Sequence, residues 1–297
     1  MLGFSANAMM LDPYALKNLI AHFVEIYNGV QPNKYKYKPT HSRKFSDILK
    51  SVKHSFKHRI NSLSTKGFNA NALVFPAVKS TLNVHALTSA FYMQETYKIN
   101  QIAKKYNVSI NDLILAAYFR TVFSLSKQQQ ATINIGNYFN PRENATNKNF
   151  LSFSNLQVLL PFSLEVKQNE SFNETLKKIT AIRNIIEKNN LVGEKIHQNP
   201  KKNIPQPEYF QFMSLDKNEL DAFHMLDNQT QQVYFFAPCR NVPYLCLTSC
   251  LCNGQIFLSF MNYCYNEDAQ LISYIYQWIK YEVRNFVALS DPKFYTI

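Results

Sequence analysis

The chain has 297 residues, 46% of them hydrophobic, and carries a formal charge of +12. That length and apolar content support one large domain or two small ones and exclude a disordered chain. With 6 glycines there is no GxGxxG or GxxxxGKS/T loop to cradle a phosphate, and no apolar run approaches the ~18 residues of a membrane span.

Met1 to Ala8 lacks the basic region of a signal peptide. Residues 13–28 read as a helix with Leu16, Leu19, Ile20, Phe23, Val24 and Tyr27 as its apolar stripe. Pro13 suits its first turn and Asn28-Gly29 its end. Charge concentrates in residues 33–66, which hold ten Lys and Arg against one acid, Asp47. Within that run, 45–63 reads as a second amphipathic helix. Phe45, Ile48, Leu49, Val52, Phe56, Ile60 and Leu63 lie on one side; Lys50, Lys53, His54, Lys57 and His58 lie on the other. Residues 64–80 read as an irregular link, and a strand is expected over 81–87. The break near 80–90 is the expected boundary between a segment 1–80 and a domain 81–297.

The pattern then becomes regular. A helix is predicted over 95–106, and Ser109-Ile110-Asn111-Asp112 is a capping signature that opens the next. That helix, Ile110 to Phe123, is apolar nearly all round, which predicts burial. Strands are predicted over 132–139, closed by Asn140-Pro141-Arg142, and over 151–163, opened by Ser154-Asn155. Ser171-Phe172-Asn173-Glu174 opens an amphipathic helix to about residue 190. Residues 191–215 are polar and proline-bearing and read as a surface excursion, and 232–237 reads as a strand. Tyr244–Cys252 and Gln255–Tyr263 flank Asn253-Gly254, the strongest hairpin signal in the chain. A final helix covers about 267–288. The whole predicts an α/β (α+β) sandwich, a mixed β-sheet covered by helices.

The five cysteines crowd into residues 239–264. Cys246, Cys250 and Cys252 share parity on one strand and therefore one face. They read as buried apolar thiols in a reducing, cytoplasmic compartment, since a metal site needs ligands converging from several elements. No metal is expected. His41, His54 and His58 read as surface residues of the basic run, His22 as part of the polar side of its helix, and His197 and His224 as scattered. Ser124, Ser126 and Ser154 read as helix-end and strand-end serines, because no GxSxG elbow is present.

The succession helix, VSINDLILAAYFR, strand, Asn140-Pro141-Arg142, Ser154-Asn155-Leu156, helix, hairpin, helix resembles the C-terminal half of the chloramphenicol acetyltransferase-like superfamily. That superfamily includes condensation domains, wax ester synthases and alcohol acetyltransferases. The likeness runs from about residue 81 to 288. The superfamily's signature is His-His-x-x-x-Asp-Gly followed by a helix, and Asn7-Ala8-Met9-Met10-Leu11-Asp12-Pro13 stands in that place. The resemblance implies that the second His is the general base, a role suited to a group titrating near working pH. It also implies a structural Asp, here Asp12, paired with an Arg, here Arg142. Ala8 cannot accept a proton, and six residues precede the motif where the superfamily has most of a subdomain, so a truncated N-terminal subdomain is expected.

The function expected is that of a degenerate or truncated acyltransferase or condensation-type domain acting as a binding or interaction module. The alternative is an active O- or N-acyltransferase in which His85 replaces the base. A second alternative is a basic nucleic-acid- or membrane-surface-binding protein, which no recognisable nucleic-acid motif supports. No tightly bound cofactor is expected; acyl-CoA or a carrier-bound phosphopantetheine thioester would be the substrate. Lys50, Lys53, Lys57 and Arg59 are the candidate phosphate contacts. Sheet edges left open by the missing subdomain predict a homo- or hetero-oligomer.

Overall fold

A computed structural model describes residues 3–6, 11–34, 82–144, 155–193, 210–215, 231–237, 244–265 and 268–291. The basic run from 35 onward, with Lys50, Lys53, Lys57, Arg59 and the predicted 45–63 helix, lies outside the described residues. So do Asn7, Ala8, Ser154, His41, His54, His58, His197 and His224.

The elements are helix α1 (Pro13–Tyr27), strand β1 (Leu82–Ala90), helices α2 (Met93–Tyr106) and α3 (Ile110–Leu125), strands β2 (Gln130–Phe139) and β3 (Val158–Lys167), helix α4 (Phe172–Lys188), strands β4 (Phe210–Leu215), β5 (Tyr244–Cys252) and β6 (Gln255–Tyr265), and helix α5 (Ala269–Ser290). The six strands form one mixed sheet in the order β1-β6-β5-β4-β2-β3. The pairs β2–β4 and β4–β5 are parallel and the others antiparallel. One cross-sheet row runs Leu87, Phe260, Leu247, Phe212, Asn137, Leu160.

Alternation along each strand divides the core in two. Leu245 and Leu247 of β5 join α2, α3, α4 and α5 in the main core, while Cys246, Cys250 and Cys252 face the other side. That other face is covered by Tyr14 and Ala21 of α1 and by the segment 231–237. The shared face predicted for the three thiols is therefore observed, and all three are buried. Burial, then the neighbouring Cys252, pushes the Cys250 thiol far up from its ordinary value.

Local chemistry accounts for the boundaries. Ser109 Oγ accepts from Asp112 N at 3.0 Å, and the Asp112 carboxylate accepts from Ser109 N. Asp112 Oδ1 also accepts from Arg183 Nε of α4 at 2.6 Å, which ties α3 to α4. α3 is buried as its all-round apolarity requires, with every residue from Leu113 to Phe119 at 0% exposure. Glu174 accepts from Ser171 N at 2.7 Å and closes the second capping box; that backbone bond is the main reason its carboxyl sits below the usual range. Asn253 and Gly254 both take positive φ, 48° and 71°, as a two-residue hairpin turn demands.

Four sequence expectations are corrected. Residues 210–215, read as surface, form the central strand β4, with Phe212 and Met213 at 0% exposure. Residues 232–237 are buried in part but irregular rather than a strand. The third predicted strand is displaced, its described part running Val158–Lys167. The apolar stripe of α1 is only partly its buried face: Val24 is buried and Ile20 packs against the cluster of Tyr14 and Phe257, whereas Leu19, Phe23 and Tyr27 are 40–50% exposed, and Lys17 and Asn18 are buried. α1 packs Tyr14, Ile20 and Ala21 onto the sheet and leaves Leu19, Phe23 and Tyr27 exposed. Among the described residues, no single helix is long and apolar enough to cross a membrane.

Two phenols are sealed into the main core. Tyr118 Oη donates to the Leu245 carbonyl and Tyr276 Oη to the Leu258 carbonyl, and burial pushes both groups above the ordinary tyrosine value. Unfolded tyrosines ionise near about pH 10. Above that value the native chain binds more protons than the unfolded one, so stability falls as pH rises. Denaturant midpoints should therefore drop between about pH 9 and 11. The drop should be smaller in a Tyr118→Phe/Tyr276→Phe variant; an equal drop there would refute this origin.

Candidate functional site

The most densely bonded buried carboxylate among the described residues, outside the capping boxes, is that of Asp12, which caps the start of α1. Its extended backbone (φ −85°, ψ 169°) makes it the N-cap, and Pro13 follows at the first helical position. Oδ1 accepts from Ala15 N at 2.7 Å. Oδ2 accepts from Arg142 Nη1 at 2.9 Å and from Leu156 N at 2.7 Å. Asp12 is 1% exposed and Arg142 9%.

Arg142 reaches that carboxylate because β2 ends in the Asn140-Pro141-Arg142 turn. Asn140 Oδ1 accepts from both Arg142 N and Arg142 Nη1, each at 3.2 Å. The side chain of Asn140 therefore holds the backbone and the guanidinium of Arg142 together. One carboxylate thus joins the start of α1, the turn after β2 and the lead-in to β3. A second tie fixes the same end of α1: Tyr14 Oη donates to the Ser214 carbonyl of β4 at 2.7 Å.

The chemistry open to Asp12 follows from these contacts. Both oxygens accept from buried donors, so the carboxylate is a scaffold group and not an idle base. The pairing of Asp12 with Arg142 expected from the sequence is therefore present. The roles of Asn140 and of the Leu156 N–H were not read from the sequence. The first is signalled only by an Asn two residues ahead of the Arg; the second is a backbone group with no sequence signal.

A cavity of 440 Å³ lies between α2, the start of α3 and the ends of β4, β5 and β6. Ala103, Leu215 and Ile256 supply apolar wall, and Asn100, Lys104 and Asn111 supply polar groups. Leu215 follows directly on Ser214, the residue that receives the Tyr14 hydroxyl.

His85 is elsewhere. It lies on β1 opposite Asn262 of β6, and its Nε2 is buried with no hydrogen-bond partner among the described residues. β6, β5 and β4 separate β1 from β2, so His85 is about 19 Å across the sheet from the strand that leads to Arg142, at about 4.8 Å per strand. The structure does not bring His85 and Asp12 together. Ser124 and Ser126 donate to the carbonyls of Arg120 and Phe123, as helix-end serines do. Asn155 is exposed and its Oδ1 accepts from Gln157 N.

No family model matches the sequence, and no curated protein matches it. Solved structures do. The epimerization domain from the third module of tyrocidine synthetase B superposes with a TM-score of 0.62 at 13% identity, covering 95% of this chain and 67% of that one. The trichothecene 15-O-acetyltransferase of Fusarium sporotrichioides gives 0.60 at 12% identity, covering 92% of this chain and 63% of that one. The condensation domain from the Monacolin K polyketide synthase gives 0.53 at 14% identity, covering 92% and 67%. The fold is thus that of condensation domains and acyltransferases, and the chain spans about two thirds of the length of these neighbours.

Proposed function

We propose that this chain is a condensation- or acyltransferase-type domain without a general base of its own, which binds an acyl thioester or a partner and does not turn it over. The observation that carries the reading is the contrast within one motif. Asp12 keeps its full set of buried partners, while position 8, where the resemblance calls for the base, is Ala. A methyl side chain cannot take a proton, and general-base assistance is worth about 10²–10⁴-fold in rate.

The ligand class that suits the fold is an acyl-CoA or a carrier-bound phosphopantetheine thioester. The cavity beside Leu215 offers apolar wall for an acyl chain, and the basic run with Lys50, Lys53, Lys57 and Arg59 supplies charge for its phosphates. The test is thiol release from a series of acyl-CoA donors in the presence of alcohols and amines. Acyl-CoA should bind in a calorimetric titration, and thiol release should not exceed that of heat-denatured protein. Robust transfer to any acceptor would sink the proposal and restore the active acyltransferase reading.

A further inference from the structure

A helix on a protein surface turns its polar side chains to water. α1 does the reverse. Its exposed residues are Leu19, Phe23, Ile26 and Tyr27, while Lys17 and Asn18 are buried. The four apolar residues recur at helical spacing and share one face. Phe23 stacks on Tyr27 with ring centroids 6.2 Å apart, and Phe4 meets Phe23 edge-on at 5.5 Å, so the exposed side chains form one continuous patch. A patch of this kind marks a surface made to be covered.

We infer that this face of α1 is the docking site of residues 45–63 of the same chain, bound through the apolar side that carries Ile48, Leu49, Val52 and Phe56. Chain length favours this occupant. The turn that follows α1 ends at Lys34, and residues 35–44 alone separate it from Phe45. That connector spans up to ~33 Å, while α1, at 15 residues, is only ~22 Å long. A segment tethered so closely meets α1 at an effective concentration on the order of millimolar. The exposed rings of Tyr92 and Tyr97 on α2 and of Tyr274 and Tyr281 on α5 belong to the helix layer on the opposite face of the sheet.

Chemistry and charge favour it as well. An amphipathic helix draws most of its stability from the packing of its apolar side, so 45–63 needs a surface of the kind that α1 presents. The side of 45–63 turned away from the contact carries Lys50, Lys53, His54 and Lys57. Docking therefore gives the outside of α1 the polar face that its own residues lack. Two copies meeting through α1 would bring together two runs of ten Lys and Arg each, whereas docking within one chain involves a single run.

Hydrogen exchange on the full chain tests this. The amides of 45–63 should exchange at least about tenfold more slowly than those of a synthetic peptide of the same residues. Phe23→Asp/Tyr27→Asp should abolish that protection and leave the amides of β5 and β6 as slow as in wild type, because both side chains are exposed. Should that variant misfold, Leu49→Asp/Phe56→Asp puts the charge on the other side of the contact and should release 45–63 to the same extent. Unprotected 45–63 amides in the wild-type chain, or protection that survives either pair of substitutions in a folded protein, would overturn the inference. So would protection that disappears on dilution while light scattering shows the mass halving, since a second copy would then be what covers α1.

Discussion

Asp12→Ala is expected to destabilise the chain by about 3–5 kcal/mol, a large share of the ~5–15 kcal/mol that holds a typical domain folded. The substitution leaves the Arg142 guanidinium buried without its carboxylate and orphans the N–H groups of Ala15 and Leu156. Asp12→Asn should be nearly as harmful. Its amide can offer one oxygen to one of these donors, but its NH₂ would face another. A double replacement of Asp12 and Arg142 by apolar residues, which rescues many buried ion pairs, should fail here. The two backbone donors would remain without an acceptor. Urea unfolding followed by the fluorescence of Trp278, the only tryptophan, measures all three variants. A loss below about 1 kcal/mol for Asp12→Ala would contradict the lock.

Phe91→Ala is expected to cost about 3–5 kcal/mol. Phe91 is fully buried, at the point where β1 passes into α2. Lys280 Nζ stands 5.4 Å from the ring centroid and the Arg284 guanidinium 5.9 Å. The backbone of Phe91 donates to Ile256 and accepts from Gln255 Nε2. Removing the ring opens a cavity and takes away the face on which two cations of α5 rest. It should also leave a signature that a simple packing defect would not. Burial, and secondarily Arg284, holds the Lys280 ammonium below its ordinary value. Water admitted by the cavity should let that value climb back. Denaturation melts give the stability loss, and a titration of the Lys280 ammonium by NMR gives the second effect. A stable Phe91→Ala protein with the Lys280 titration unmoved would refute this account.

The sequence made most elements visible where the signal was chemical and local. The capping boxes at Ser109 and Ser171 and the Asn253-Gly254 turn placed α3, α4 and the β5–β6 hairpin within a few residues. β4 was hidden because it is six residues long and buried on both faces, and Gln211 and Ser214 interrupt its apolar run. A buried parallel strand needs no alternation, so the pattern that reveals other strands was missing. α1 misled for the opposite reason. Part of its apolar stripe, Leu19, Phe23 and Tyr27, is exposed, and the face that packs sets Lys17 and Asn18 beside Val24. Within the site, the Asp12–Arg142 pairing could be anticipated from a motif. The contribution of Leu156 could not, because any residue at that position has the same N–H.

The Asp12 contacts change how such motifs should be counted. Selection for nothing more than a folded chain would hold an aspartate at this position, because three buried donors depend on it. Its presence therefore carries information about architecture and none about turnover. In a motif of this kind the residues vary in what they report, and in the function proposed above it is position 8 that speaks to chemistry. A search that credits the aspartate as a sign of catalysis will gather inert domains together with working enzymes.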